Sequence, residues 1–333
     1  MRSLNPVRKK IALVAPVMLA VLTVAGCGGA GDAATANTTS GLTTVNVAVL
    51  PAADAIPLYL GISQGFFKKE GLNVVPSVVP SGAAMVPAVL NGQKQFGFAN
   101  VLSIIKAASK GVPVQIVTPG VTGNSDFTTS ASALLVSAKS GIKTAKDVEG
   151  HTLAVTSIGD LGMTTTQVWM KRSGADPSKV KFVELGFPEM VPAIERGNVD
   201  GAVLLEPFMT KGLAAGLVKA GNPYGAVLGG DPLAIYFGNR QYDGSHPAVV
   251  QGFQRGMAAS LQYAQSHPLE ARQEIAKVFK IDPAVANSMR LPLWRSTLSF
   301  ASLQKVMGIA LEQGLIKKPV DEATLLSSTK TAK

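Results

Sequence analysis

The sequence predicts an α/β protein of two related lobes, each a mainly parallel sheet flanked by helices, with a ligand cleft between them. Two observations carry this reading. The tetrapeptide Met-Val-Pro-Ala occurs at 85–88 and again at 190–193, an offset of 105 residues (190 − 85). The echo extends beyond the four letters. Gly92 and Gly197 each follow at the same distance, Gln95 and Asp200 likewise, and an apolar run follows both copies, residues 96–99 and 201–205. An apolar strand pattern also precedes each copy, at 74–79 and 180–185. Proline near the first helical position and glycine just past the last is the asymmetry of helix ends. Each copy therefore reads as strand, proline-started helix, glycine stop, strand, which is a parallel crossover. The second observation is the wider rhythm, in which short β-branched runs alternate with helical runs along the body.

The elements follow in order. Residues 1–10 are basic and 11–25 almost wholly apolar, ending in Val24-Ala25-Gly26-Cys27. This is the layout of a secretory signal, and the apolar run is short for a spanning helix, which needs ~20 residues. Residues 44–50 form the first strand, 51–57 a breaker-rich loop, 58–69 a helix closed by Gly71, and 72–79 the second strand. The loop Pro80-Ser81-Gly82 enters the first Met-Val-Pro-Ala helix. A strand at 96–99, a helix at 101–110 and a strand at 114–118 complete the first run. Residues 124–132 are polar and aperiodic, as a crossing between lobes should be. Strands at 133–137, 151–156, 180–185 and 201–205 build the second lobe, with helices at 163–172 and 206–215. Gly186-Phe187-Pro188 reads as a loop. The chain recrosses near 222–224, returns as a strand at 233–237, and is mainly helical after His246.

Composition narrows the function classes. The chain has 333 residues, 47% hydrophobic and 16% charged, enough for two cores. Its net charge of +10 owes four charges to Arg2, Arg8, Lys9 and Lys10. The other basic residues form no stripe and have no interleaved aromatics, so no nucleic-acid partner is expected. A single cysteine and three dispersed histidines supply no disulfide and no zinc site, and no metal or cofactor is expected.

Residues 57–72, Pro-Leu-Tyr-Leu-Gly-Ile-Ser-Gln-Gly-Phe-Phe-Lys-Lys-Glu-Gly-Leu, resemble the opening signature of solute-binding proteins of ABC importers, of the nitrate/sulfonate/taurine and thiamine-pyrimidine type. The similarity continues through Asn91-Gly92-Gln93, residues 107–114, 141–150 and 196–202, Gly174-Ala175-Asp176-Pro177 and Glu206-Pro207. Gln95 stands where the family commonly has Asp, a change expected to be structural. Val24-Ala25-Gly26-Cys27 is similar to the bacterial lipoprotein box, in which the cysteine becomes acylated. The resemblance implies a periplasmic-binding-protein-like fold. It also implies an extracytoplasmic receptor anchored to the cell membrane through acylated Cys27, acting as a monomer and delivering a small polar solute to an ABC permease. The expected organisation is a signal peptide over 1–26, a flexible tether over 27–42, the first lobe over 43–128, the second over 129–223, and a return to the first with C-terminal helices over 224–333.

Ligands of open α/β sheets sit beyond the carboxyl ends of the strands, beside helix N-termini. The loops at those ends nominate Asp54, Ser81, Gly82 and Asn100 on the first lobe. Thr156, Ser157, Asp160, Phe187 and Glu206 are their counterparts on the second, with Asn124 and Asp126 in the crossing. Each has a plainer use. Ser81, Ser157 and Asp160 serve equally as N-caps, Asp54 and Asp126 as turn acids, Phe187 as packing, and Glu206 as a cap. None of these loops carries Lys or Arg, which suggests a ligand with N–H donors or positive charge, such as a pyrimidine, an amine or a zwitterion. The rival functions are a pyrimidine-precursor enzyme of the same fold and a ligand-sensing module. The synthases in question use a cysteine-rich segment, whereas this chain has no cysteine after Cys27.

Overall fold

A computed structural model describes residues 41–79 and 84–327. The signal segment, Cys27 and the Ser81-Gly82 loop lie outside the described residues. Eleven strands form two sheets among the described residues. The first holds β1 (Thr43–Val49), β2 (Leu72–Val78), β3 (Phe96–Asn100), β4 (Val114–Thr122), β10 (Pro232–Asn239) and β11 (Leu293–Trp294), in the order β11-β4-β10-β3-β1-β2. The second holds β5 (Ser132–Val136), β6 (Thr152–Val155), β7 (Lys181–Glu184), β8 (Gly201–Leu205) and β9 (Val218–Gly221), in the order β7-β6-β8-β5-β9.

Most strands of each sheet point the same way, as predicted, but each sheet contains a reversed interior strand, so five of the nine described strand pairings are antiparallel. β10 runs antiparallel to both β3 and β4, and β5 antiparallel to both β8 and β9. The reason is topological. β5 is the first strand after the outward crossing and β10 the first after the return. Each enters its sheet from the cleft end, whereas the crossover strands leave towards it. The two crossings lie side by side. Gly123 donates to Asp231 O (2.9 Å) and accepts from Gly230 N–H (2.9 Å), and Asn222 Nδ2 donates to Asn124 O (3.0 Å).

The internal echo is structural. Gln95 Oε1 accepts from Asn46 N–H (2.8 Å), while Gln95 N–H donates to Asn46 O (2.9 Å). In the second lobe Asp200 Oδ2 accepts from Thr152 N–H and Asp200 N–H donates to Thr152 O, both at 2.8 Å. Gln and Asp thus do one job, pinning the incoming strand β3 or β8 to its parallel neighbour. Gly92 and Gly197 close the preceding helices at φ 76° and 72°, a left-handed conformation that favours glycine. The helices themselves differ. The first is Met85–Leu90, but the second begins at Phe187, a full turn before its Met-Val-Pro-Ala, and runs to Glu195. Gly186-Phe187-Pro188 is therefore a helix start rather than a loop. Pro188 presets φ in the first turn, and Glu189 Oε2 accepts from Gly186 N–H (3.0 Å).

The predicted helix over 58–69 is two helices, Ile56–Ser63 and Phe66–Lys69, broken at Gly65 with φ 72°. The predicted helices after His246 form, the longest over Pro247–Ser266, and they pack into the core of the first sheet. Phe253, Met257 and Leu261 share one buried cluster with Val45, Val47 and Phe96. The second sheet has a core on each face, and strand alternation separates them. Ala133 and Leu135 face one, Leu134 and Val136 the other.

Candidate ligand-binding site

The strand ends converge as the topology requires. β1 runs into Leu50, Ala52 and Asp54, and β3 ends at Asn100, which caps the helix Val101–Ser109 by accepting from Ser103 N–H (2.9 Å). In the second lobe β6 runs into Thr156 and Asp160, the cap of the helix Leu161–Arg172, and β8 ends at Leu205. Between them lies a cavity of about 40 Å3, above the roughly 10–15 Å3 that one water needs. Leu50, Ala52, Asp54, Phe98, Ala99, Asn100, Leu233 and Ala234 line it from the first lobe, and Thr156, Asp160, Leu161, Phe187, Leu205 and Tyr224 from the second lobe and the return crossing.

Five of the predicted site residues thus share one cavity: Asp54, Asn100, Thr156, Asp160 and Phe187. Four others lie elsewhere. Ser157 Oγ donates to Glu184 Oε1 (3.2 Å), turned away on the rim. Asn124 Nδ2 donates to Thr129 Oγ1 (3.0 Å), and Asp126 accepts from Thr128 and Thr129. The Thr128 and Thr129 hydrogen bonds hold the exposed Asp126 carboxyl below the usual range, so it acts as a turn acid. Glu206 is fully buried outside the cavity lining. Its Oε1 accepts from Thr210 Oγ1 (2.9 Å) and Arg290 N–H (3.2 Å), and its Oε2 from Thr210 N–H (3.0 Å). Its backbone carbonyl also accepts from Ala53 N–H (2.8 Å), so one residue ties the second lobe to two segments of the first.

Electrostatics separates the two cavity acids. Asp54 is 6% exposed, and burial raises its pKa to about 7. Its carboxylate takes a hydrogen bond from its own backbone N–H, which opposes the shift, and none from another described residue; its backbone carbonyl accepts from Trp294 Nε1 (3.2 Å). Asp160 is also raised by burial, but the Thr156 hydroxyl and the N–H groups of Met163 (2.8 Å) and Ser157 (3.2 Å) oppose that shift. Tyr224 was no candidate in the sequence. It lines the cavity, and burial together with Asp160 and Asp54 pushes its phenol well above the usual range. Its only signal was its place beside Pro223 at the return crossing. Lys106, also unpredicted, reaches from the first lobe to donate to Gly159 O on the second (2.6 Å). Among the described residues no group of three His, Cys, Asp or Glu side chains is placed to hold a metal. No described helix is long and apolar enough to cross a membrane.

Residues 52–271, which include every cavity-lining position but Leu50, match the family model described as NMT1/THI5 like. The chain belongs to the NMT1/THI5-like family. The taurine-binding periplasmic protein of Escherichia coli (strain K12) is 27% identical to this chain over 242 residues, covering 71% of this chain and 73% of that protein. The 4-amino-5-hydroxymethyl-2-methylpyrimidine phosphate synthase of Aspergillus parasiticus is 25% identical over 240 residues, covering 66% of this chain and 65% of that one. The fold of this chain is similar to that of the periplasmic aliphatic sulphonate-binding protein of Escherichia coli. Its crystal structure superposes with a TM-score of 0.67 at 18% identity, covering 85% of this chain and 97% of that one.

Proposed function

We propose that this chain is an extracytoplasmic solute receptor, anchored through acylated Cys27, that closes its two lobes over a small polar solute and presents it to an ABC permease. The observation that carries the reading is the cavity, which draws one wall from each sheet and lies beside paired crossings of the chain. Such a pair of crossings is a hinge, with residues 125–131 and 223–226 as its bending segments. Lys106–Gly159 and Ala53–Glu206 are contacts across the closed cleft, and opening would break them.

The synthase relative supports one alternative, an enzyme of the same fold. The cavity lining offers Asp54 and Asp160 but no cysteine or histidine, and the chain's only cysteine is Cys27. A thermal-shift screen of sulfonates, nitrate, taurine and pyrimidines separates the readings. A bound solute at 100 times its Kd stabilises the protein by ~2.7 kcal/mol. The receptor reading expects such a shift with the solute recovered unchanged. Conversion of the solute supports the enzyme instead.

A further inference from the structure

We propose that the cavity selects a solute bearing a cationic nitrogen or several N–H donors, with the Asp54 carboxylate as its counter-ion, in preference to a bare anion. This rests on the receptor reading above and names the class of solute.

The donors and acceptors of the cavity lining point to that class. Asp54 presents to the cavity a carboxylate that no other described residue satisfies, whereas the Asp160 carboxylate is already taken by Thr156, Ser157 and Met163. Thr156 spends its hydroxyl proton on Asp160, so its free lone pairs face the cavity as acceptors. Asn100 uses its carbonyl oxygen on Ser103 N–H, which leaves its amide as a donor. The Tyr224 hydroxyl is the other donor. A zwitterion would therefore set its anionic end against Asn100 and Tyr224 and its nitrogen against Asp54.

At two second-lobe helix starts an acid of the chain itself occupies the place an anion would take. Asp160 accepts from Met163 N–H and Ser157 N–H, and Glu189 from Gly186 N–H. A nitrate or sulfonate placed there would meet a carboxylate instead of free N–H groups. Lys106 is within electrostatic reach of Asp160, but its ammonium is engaged by Gly159 O and does not line the cavity. No charged group offsets Asp54; its own charge acts on the phenols of Tyr224 and Tyr236, both held neutral by burial. Tyr236 is itself buried, and its hydroxyl has no hydrogen-bond partner among the described residues. An ionised Asp54 without a cation is costly, and a cationic solute removes that cost.

Calorimetric titration of the full chain with matched probes tests the proposal: taurine against ethanesulfonate, 4-aminopyrimidine against pyrimidine, and nitrate alone. At least one amine-bearing probe should bind 100-fold more tightly than its partner or nitrate, and Asp54→Asn should weaken it at least 100-fold. The wild-type comparison stands without the variant, and a melting curve of the variant confirms that it folds. If ethanesulfonate or nitrate binds as tightly as the amines, the solute class is overturned while the receptor reading survives. An amine probe whose affinity is unmoved by Asp54→Asn overturns the counter-ion role. If no probe binds at millimolar concentration, both the class and the receptor reading fail.

Discussion

Asp54→Asn raises the stability of the unliganded protein above pH 7 by about 4 kcal/mol and changes it little below pH 4. The sign follows from the direction of the shift. Burial lifts the folded-state pKa of Asp54 from 3.8 to about 7, so the folded protein binds the proton more tightly than the unfolded chain. Wild-type stability is therefore undiminished below pH 3.8 and falls as pH rises through 7. Asparagine keeps the shape and the polar head but has no charge to bury, so the variant lacks this decline. Chemical denaturation of both proteins at pH 4 and pH 8 reads the effect directly. A wild type equally stable at both pH values relative to the variant would show that Asp54 is solvated or paired. The residue is thus expected to weaken the empty protein, a common condition of binding groups held ready for a ligand.

Glu206→Ala is expected to cost about 1–3 kcal/mol, through the opposite logic. Burial raises the Glu206 pKa too, but here three hydrogen bonds to the carboxylate oppose the shift. Truncation of this fully buried side chain leaves the N–H groups of Thr210 and Arg290 and the Thr210 hydroxyl, all partly buried, without their acceptor. Because Arg290 belongs to the first lobe's C-terminal segment, the loss should also loosen the contact between lobes. Denaturant midpoints measure the first effect, and amide exchange at Arg290 the second. A loss under 1 kcal/mol would show that the site relaxes around water.

The sequence and the structure agree where local pattern decides. The Met-Val-Pro-Ala echo located both crossover units, and the equal roles of Gln95 and Asp200 follow from that repeat. Asp54, Asn100, Thr156, Asp160 and Phe187 were legible because each lies just beyond a strand end or its following loop, where an α/β sheet places its cavity. What could not be read depends on long-range geometry. Strand direction leaves no mark on periodicity, so the reversal of β5 and β10 was invisible. The plain uses of Asp126 and Ser157 as turn and rim groups depend on neighbours such as Thr128 and Glu184. Glu206 had the right residue type for a site, but its partner Arg290 lies 84 residues away in sequence. Tyr224 reaches the cavity only because the return crossing folds back beside it.

A cleft that closes over its solute and releases it unchanged should contract on binding. Small-angle scattering of the full chain, before and after saturation with a solute identified by the thermal-shift screen, tests this most directly. The expected result is a smaller radius of gyration on saturation, full recovery of the solute on denaturation, and a weaker response once Lys106→Ala removes the contact with Gly159. A bound solute that leaves the scattering profile unchanged, or that is recovered as a different compound, would contradict it.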